Sequence, residues 1–445
     1  MALGSFLLTL VASVSAAAPL HEESFLLEAP AEVAAVVTAS CSGCDWGRRT
    51  YEAPALELRL DGGYSQHLLL TRGEERAEYR VALGRLASGA HRLTVGLDPH
   101  RSARHARPAT VSGIAITTTR AGSVEERMAS HAPVLMARAN SLRRFSDVPL
   151  LMWVETDELG HGRMRLRYSV VFSNEDGGTP PDRLMATWGR LTDLGFVYGV
   201  EVDAVGDVLA ARYQGPEHRI LDFTGVREAR HPLLHVVTDN NMVSDRGPTT
   251  VRFAPAPIPF DLASASREAV MDAHPWTYAV SAREVRREGR VSEWARPGSK
   301  KVPDPRRFLT LEACAITEDA TVAFSAAVRQ ADGSTRWHAS DAGIPSFRIG
   351  RRATEFPNGC FRGAVALPAG THAEDVVALR LRAYTQPPRK DGPPLAKGTG
   401  RVRLKRVNTL FLLGSDDRPG PSLFSWQGDA ALAPEGPPFD LKIRD

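Results

Sequence analysis

The chain has 445 residues, of which 43% are hydrophobic, enough for two or three domains with buried cores. Its 55 Lys and Arg residues nearly balance 52 Asp and Glu residues, and the net charge of +3 gives no electrostatic case for nucleic acid or an anionic membrane surface. Phosphate-loop, dinucleotide, Gly-x-Ser-x-Gly and His-Glu-x-x-His motifs are missing from the sequence, which removes the commonest kinase, dehydrogenase, hydrolase and zinc-protease interpretations.

The chain opens with an uncharged stretch from Met1 to Ala16, which contains the apolar run Phe6–Val11 and ends in small residues. This pattern is typical of a secretory signal, so we predict a signal peptide over residues 1–18. A membrane span needs about 20 apolar residues, and no other window of the sequence provides them. The sequence therefore predicts a secreted or periplasmic protein with no transmembrane segment beyond the signal peptide.

Residues 22–120 are predicted to form an N-terminal β-sandwich domain. Leu56, Leu58 and Leu60 alternate with charged residues, which places the three leucines on one face of a strand. The turn at residues 61–63 and a second turn at residues 88–89 separate further alternating stretches. Short strands at regular spacing with Gly-containing turns are typical of a sandwich.

Residues 121–262 are predicted to form a central β domain that carries the candidate site. In the stretch from Arg163 to Phe172, apolar residues recur at every second position, as in a half-buried antiparallel strand. Two short helices are expected, one capped by Ser123 and one over residues 182–188. Helices this short cannot cover a parallel sheet, so a mainly antiparallel arrangement follows.

Residues 263–445 are predicted to form a C-terminal β-sandwich domain. A helix is expected over residues 264–272, followed by an exposed Arg- and Lys-rich loop over residues 283–307 and then by strands. The tail after Asp416 is expected to carry little regular structure. The predicted fold class is therefore mainly β, with two or three antiparallel β-sandwich domains and a few short helices.

Four cysteines are present, and an even number fits an oxidising compartment where cysteines form bridges. Their separation along the chain favours Cys41 with Cys44 and Cys314 with Cys360. A zinc site and a redox motif are alternatives for the Cys-x-x-Cys pair. No second pair of ligands completes a zinc site, and strand patterns rather than a βαβ unit surround the motif.

The predicted catalytic residues are Asp193, Glu201 and His218. Glu201 and Asp203 are two apart on a strand, so their carboxyl groups share a face at a separation that suits acid and base in glycoside hydrolysis. His218 lies near a turn, where it is expected to act as an acid, a base or a ligand. A solvated strand face and structural histidines are the alternative interpretations.

Side chains that would contact a sugar are predicted among the aromatic and amide residues of the same domain, because aromatic faces pack on sugar rings and amides bind hydroxyl groups. The residues are Trp188, Tyr198, Tyr213 and Asn240.

A calcium site is a further hypothesis, since Asp239, Asn241 and Asp245 offer oxygen ligands within a short stretch. Their spacing differs from that of an EF-hand, and Asn and Asp are also common in ordinary turns. We therefore expect no cofactor, with calcium as the alternative.

The order of several motifs resembles that of the vacuolar-protein-sorting-62-like β proteins. The motifs are His131 to Leu135, Thr192-Asp193 before a strand that ends in Val202-Asp203, Tyr213 to His218, and His231 to Val236. Where that family has an Asp-Trp-Glu group, this chain has Asp193-Leu194-Gly195. The resemblance implies a β fold for the central domain and brings no settled activity with it.

The leading hypothesis is a secreted or periplasmic multi-domain protein that binds or processes carbohydrate through its central domain, with a glycan or cell-surface polysaccharide as partner. The observations behind it are the export signal, the β pattern and the central cluster of carboxylates, amides and aromatics. The alternative is a non-catalytic surface, adhesion or structural protein, and calcium-dependent binding is a third hypothesis.

Overall fold

The computed structural model describes residues 18–106, 109–350, 358–388 and 393–444. The expected mainly β architecture of antiparallel sheets and a few short helices is confirmed. The signal peptide expected over residues 1–18 lies, apart from residue 18, outside the described residues. Within the described ranges, no helix combines the length and the apolar character needed to cross a bilayer.

The first seven strands form two facing antiparallel sheets, with strand orders β1-β6-β3-β4 and β5-β2-β7. These strands are β1 (His21–Leu27), β2 (Ala31–Ser40), β3 (Ala55–Leu60), β4 (Gly63–Leu69), β5 (Ala77–Leu86), β6 (Gly89–Asp98) and β7 (Thr110–Thr118). Val37, Leu58 and Leu93 from both sheets are fully buried between them. The alternation seen in the sequence thus produces a sandwich core.

The middle of the chain builds a six-stranded sheet, in the order β13-β12-β11-β10-β9-β18, and a smaller sheet around β15 and β8. The helices are α1 (Val124–Ser130), α2 (Ala139–Arg143) and α3 (Pro181–Trp188). The strands are β8 (Val134–Met136), β9 (Pro149–Gly160), β10 (Arg163–Phe172), β11 (Leu194–Val202), β12 (Val208–Gly215), β13 (Arg219–Asp222), β14 (Arg227–Glu228), β15 (His231–Val236), β16 (Val243–Ser244), β17 (Arg252–Phe253) and β18 (Pro257–Pro259).

The two faces of β10 show how the residue pattern determines which side of the sheet is buried. Leu166, Tyr168 and Val170 are fully buried against the core on one face. On the other face, Arg165 and Arg167 pair with carboxylates of the neighbouring strands. This second face is the one that borders the cavity described below.

The last part of the chain has two helices and two more facing sheets, in the orders β23-β19-β25-β26 and β21-β20-β24-β27. The helices are α4 (Ala269–Ala273) and α5 (Trp276–Arg287). The strands are β19 (Phe308–Glu318), β20 (Ala320–Arg329), β21 (Thr335–Ala339), β22 (Ile349–Gly350), β23 (Cys360–Ala366), β24 (Val376–Thr385), β25 (Arg401–Phe411), β26 (Trp426–Leu432) and β27 (Phe439–Lys442).

Three local expectations in this last part differ from the structure. The loop expected over residues 283–307 begins inside α5, because Glu284 and Val285 are buried rather than exposed. The tail after Asp416 contains β26 and β27, because Leu432 and Leu441 complete the core between the two sheets. The helix expected from residue 264 begins at Ala269, since the preceding residues are hydrogen-bonded to the C-terminal sheet.

The three groups of sheets pack against one another through α5. One apolar cluster combines Trp46 of the N-terminal part, Phe145 and Phe253 of the middle and Val280 of α5. A second cluster combines Trp153 with Tyr278 and with residues further along the chain. Helix α5 therefore joins all three parts, and the expected domain boundaries remain predictions.

Two disulfides are present, Cys41–Cys44 and Cys314–Cys360, and they are the pairs that the sequence favoured. Cys314 and Cys360 lie opposite each other on β19 and β23. Disulfides persist in oxidising compartments, so the pair of bridges fits a protein outside the cytoplasm.

Candidate functional site

A cavity of about 560 Å³ lies beside the face of the central sheet that is opposite the Leu166 and Tyr168 core. The loop between β10 and α3 forms one wall, and the segment before α4 forms another. Carboxyl, guanidinium, amide and aromatic groups line it together, among them Glu175, Trp188, Arg190, Asp193, Asn240 and Arg267.

Glu175 enters the cavity from the loop after β10. Its backbone oxygen and the side chain of Asn174 accept hydrogen bonds from Arg290, which ties the loop to the residues after α5. The Glu175 carboxylate accepts a hydrogen bond from the Thr179 backbone N–H at 2.8 Å. Burial raises the pKa of Glu175 to about 7, and the nearby charge of Asp193 adds to that rise.

Asp193 lies immediately before β11 and lines the cavity, and its side chain is almost entirely buried. Burial raises the pKa of Asp193, while the charge of Arg190 and a hydrogen bond from Asn241 act in the opposite direction. Among the described residues, its Oδ2 atom has no hydrogen-bond partner. This buried oxygen is therefore an unsatisfied acceptor in the wall of the cavity.

Arg190 forms the positive base of the cavity. Its Nε atom donates to Glu268 at 3.0 Å, and both side chains are buried. Burial alone would raise the pKa of Glu268, but Arg190, Arg267 and Arg362 together keep it below its usual value. The Arg190 guanidinium also lies 5.9 Å from the centre of the Trp188 ring. Arg190 is thus held rigidly next to Asp193.

The far wall is fixed by the C-terminal sheet. Ser266 donates to Glu312 of β19 at 2.6 Å, and Asn358 donates to the Ala265 oxygen at 2.7 Å. Arg406 of β25 donates to the Ser264 oxygen at 2.8 Å. These contacts position Arg267, whose side chain lines the cavity.

Four of the residues singled out from the sequence line this cavity: Trp188, Asp193, His218 and Asn240. His218 is exposed at the rim, in a turn where both Glu217 and His218 have positive φ. Its charge contributes to the electrostatic environment of Asp193.

Three other predicted residues lie elsewhere. Glu201 accepts two hydrogen bonds from Arg165, at 2.7 and 3.1 Å, and does not line the cavity. Tyr198 is fully buried in the core, where its hydroxyl accepts a hydrogen bond from Arg227. Tyr213 is also buried, and its hydroxyl donates towards Asp245 at 3.4 Å.

The residues expected to bind calcium have separate partners. Asp239 is exposed and pairs with Arg138. The side-chain amide of Asn241 donates to the Asn174 oxygen. Asp245 accepts hydrogen bonds from the backbone and hydroxyl of Thr224. The calcium hypothesis therefore remains a prediction, and the check is whether a chelator lowers the melting temperature.

A different cluster in the described residues brings metal-binding side chains together: Glu57, His67 and Asp98. Both ring nitrogens of His67 already have partners, the Tyr64 hydroxyl at 2.7 Å and Asp98 at 3.1 Å. Asp98 also accepts a hydrogen bond from Arg101 at 2.8 Å. Glu57 pairs with Arg59, so each member of the group already has a protein partner.

Glu175 and Arg190 were not singled out as site residues from the sequence. Glu175 lies in the stretch Asn174 to Gly178, whose composition is that of an ordinary turn. Two signals were available, the length of this turn between a buried strand and a helix, and the short distance along the chain to Asp193. Neither shows that the loop folds over the sheet and buries the carboxyl group.

No family model and no curated protein matches the chain. A solved structure that does match is the EclA C-terminal domain, described as a sugar-binding protein, at 22% identity. The match covers 22% of this chain and 66% of that chain, just under two thirds, with a TM-score of 0.18. Similarity at this level carries no argument about fold or ligand. The resemblance to vacuolar-protein-sorting-62-like proteins remains an expectation from the sequence.

Proposed function

We propose that the protein is an exported enzyme that binds a carbohydrate in the 560 Å³ cavity and hydrolyses a glycosidic bond there. The observation that carries the proposal is the pair Glu175 and Asp193, two buried carboxyl groups that face one cavity in different electrostatic environments. Pairs of acids whose surroundings separate their ionisation supply an acid and a base to one reaction.

Glu175 has the role of general acid. Its pKa of about 7 keeps a large fraction of the side chain protonated at neutral pH. The proton passes from the Glu175 carboxyl group to the oxygen of the glycosidic bond as that bond breaks, which leaves Glu175 ionised.

Asp193 has the role of the ionised partner. Arg190 and Asn241 favour its carboxylate against the burial that raises its pKa, and the side chain lines the cavity, where it assists attack at the anomeric carbon by water or by its own oxygen. A water molecule adds its oxygen to the anomeric carbon, and its proton returns to a carboxylate of the pair. The anomeric configuration of the first product, followed by NMR, separates direct attack by water from a covalent intermediate.

The remaining walls suit a sugar ring. Trp188 and Phe196 offer apolar faces, and Gln214 and Asn240 offer amide groups for hydroxyls. The two disulfides and the uncharged N-terminal stretch support export of the chain.

Release of reducing ends from a panel of polysaccharides tests the proposal. Glu175→Gln and Asp193→Asn are expected to lower kcat by at least about a hundredfold, which is the scale of general acid catalysis. The matched control is Glu228→Gln, which removes an exposed carboxylate paired with Arg252. Activity of the wild-type protein should fall as pH rises through about 7, because Glu175 loses its proton there.

Three outcomes would count against the enzyme. A panel without any bound or cleaved glycan removes the function altogether. Glycan binding without cleavage, unchanged in Glu175→Gln, leaves a binding or adhesion protein. Equal activity in Glu175→Gln and Glu228→Gln removes the assignment of the acid.

A further inference from the structure

A second cavity, of about 900 Å³, lies on the other side of the Glu175 loop, between the N-terminal sandwich and the residues after α5. Seven Arg and Lys side chains line this basic groove, against three carboxylates. The charge is local, since the chain as a whole carries only +3. Such a concentration of one sign raises the local concentration of ligands of opposite charge.

The carboxylates of the basic groove are already paired. Asp176 accepts hydrogen bonds from Ser146 and Asn140. Glu288 lies 3.7 Å from Arg144 and 3.5 Å from Arg290. The remaining acid, Glu52, lies 3.9 Å from the buried Arg287. The negative charges therefore neutralise the inner guanidinium groups.

Four cations of the groove are not paired with these acids. One of them, Arg49, donates from its Nε atom to the Arg287 backbone oxygen at 3.2 Å. The other three are the outer cations Arg104, Arg143 and Lys300. All three are exposed and line the groove. Within the part of the chain that the structure describes, no hydrogen bond or ion pair of their side chains is found. They come from three separate parts of the chain, so the fold, and not a local run of charge, brings them to one cavity.

The basic groove adjoins the proposed active site across the loop that carries Glu175. Thr179 lines both cavities, and Glu175 faces one of them while the adjacent Asp176 and Gly177 face the other. A polymer bound in the groove can therefore extend around the loop to the carboxyl pair.

The groove lacks the features that suit single-stranded nucleic acid. Such sites stack bases on exposed aromatic rings, whereas the phenyl ring in this groove, that of Phe145, is buried. Guanidinium and ammonium groups also bind carboxylate and sulfate groups of polysaccharides, which need no stacking surface.

We propose that the basic groove binds an anionic polysaccharide through Arg104, Arg143 and Lys300. The idea that the same polymer is cleaved at Glu175 rests on the proposed function, whereas binding in the groove does not. The anions are sulfate esters or uronate carboxylates, and the test separates these two sources.

Binding of the full chain to dye-labelled sulfated galactan, polygalacturonate and neutral dextran, followed by fluorescence anisotropy, tests the inference. The triple variant Arg104→Ala, Arg143→Ala, Lys300→Ala should bind the anionic chains about tenfold more weakly or worse, as expected from three partly exposed charge contacts. Affinity should also fall with added salt. Each single substitution is measured too, so that the test survives a poorly folded triple variant.

The matched control is Arg76→Ala, Arg120→Ala, Arg336→Ala, which removes the same charge from exposed positions outside the groove. If the protein binds the sulfated galactan but not polygalacturonate, or the reverse, the result identifies sulfate or carboxylate as the group recognised. The inference is overturned if both triple variants lose affinity equally or if the protein binds no anionic chain. It is also overturned if single-stranded DNA binds as tightly as the anionic polysaccharides. If the protein cleaves a neutral glycan but binds no anionic polysaccharide, the inference fails and the proposed enzyme stands. If it binds an anionic polysaccharide but cleaves no glycan, the proposed enzyme fails and the inference stands.

Discussion

Glu284 is a buried acid outside both cavities, on the face of α5 that contacts Trp46. The Trp46 indole N–H donates to its carboxylate at 3.0 Å, and the side chain has no exposed surface. Arg287 lies 3.9 Å away, and Ser173, Ser146 and Glu288 also face it. Burial raises the pKa of Glu284 to about 7, so the folded protein holds this proton more tightly than the unfolded chain does.

We expect Glu284→Gln to stabilise the protein at pH 8 and to change little at pH 4. With the raised pKa, the free energy of unfolding decreases as pH rises from about 4.5 to about 7, by on the order of 3 kcal/mol. Glutamine keeps an oxygen that accepts the hydrogen bond from Trp46. Because its amide does not ionise, the loss of stability at high pH is removed. Urea unfolding at both pH values checks it, and a difference between the proteins that is the same at pH 4 and pH 8 would contradict it.

Gly178 packs against the catalytic carboxyl group proposed here. It has φ of +92°, and a Cβ atom there would lie 2.9 Å from Glu175 Oε1 and 3.0 Å from Asn240 Cβ. We expect Gly178→Ala to lower activity or glycan affinity by roughly tenfold through displacement of Glu175. Gly289→Ala is the control, because its φ is also positive and nothing lies within 4 Å. Equal activity in the two variants would show that Gly178 does not position Glu175.

At the scale of elements, the two disulfides close loops of very different length. Cys314–Cys360 spans 46 residues and joins β19 to β23, whereas Cys41–Cys44 spans three. The chain-entropy estimate gives about 4 kcal/mol for the long loop and about 2 kcal/mol for the short one. The double serine variant of Cys314 and Cys360 should therefore lose more stability than that of Cys41 and Cys44. Urea unfolding of both variants measures the difference, and the reverse order would contradict it.

The strands were predictable where one face is buried and the other is solvated. In β10 the alternation of Leu166, Tyr168 and Val170 with arginines identifies the strand and its buried face. Helix α5 was missed because its charged residues suggested an exposed loop, although Glu284 and Arg287 are buried with partners from distant parts of the chain. Pairing of that kind leaves no pattern in the local sequence.

The candidate site was predictable in part for the same reason. Asp193, His218, Trp188 and Asn240 line the cavity, whereas Glu201 is paired with Arg165 on the same sheet. The sequence indicates which carboxyl groups are close along the chain. Burial of Glu175 depends on how the loop folds over the sheet, which only the structure shows.

At the scale of the whole molecule, we expect one unfolding transition rather than three. The cluster of Trp46, Phe145, Phe253 and Val280 joins the first two parts to α5, and a second cluster with Trp153, Tyr278 and Phe411 joins the middle part and α5 to the C-terminal sheet. Loss of one part therefore exposes apolar surface of the others. Tryptophan fluorescence and far-UV circular dichroism should change together in urea. Separate midpoints for the two signals would instead indicate modules that unfold independently.

Helix α5 also limits how the chain length can vary. Its opposite sides meet different partners, with Glu284 next to Trp46 and Arg286 bonded to Asp304 and Asp417. One inserted residue would rotate everything after it by about 100°, because an α-helix has 3.6 residues per turn. The partners on the two sides would then be exchanged or lost. Insertions and deletions should accordingly be absent from α5 among homologous proteins, while the largely exposed stretch at residues 293–297 can differ in length.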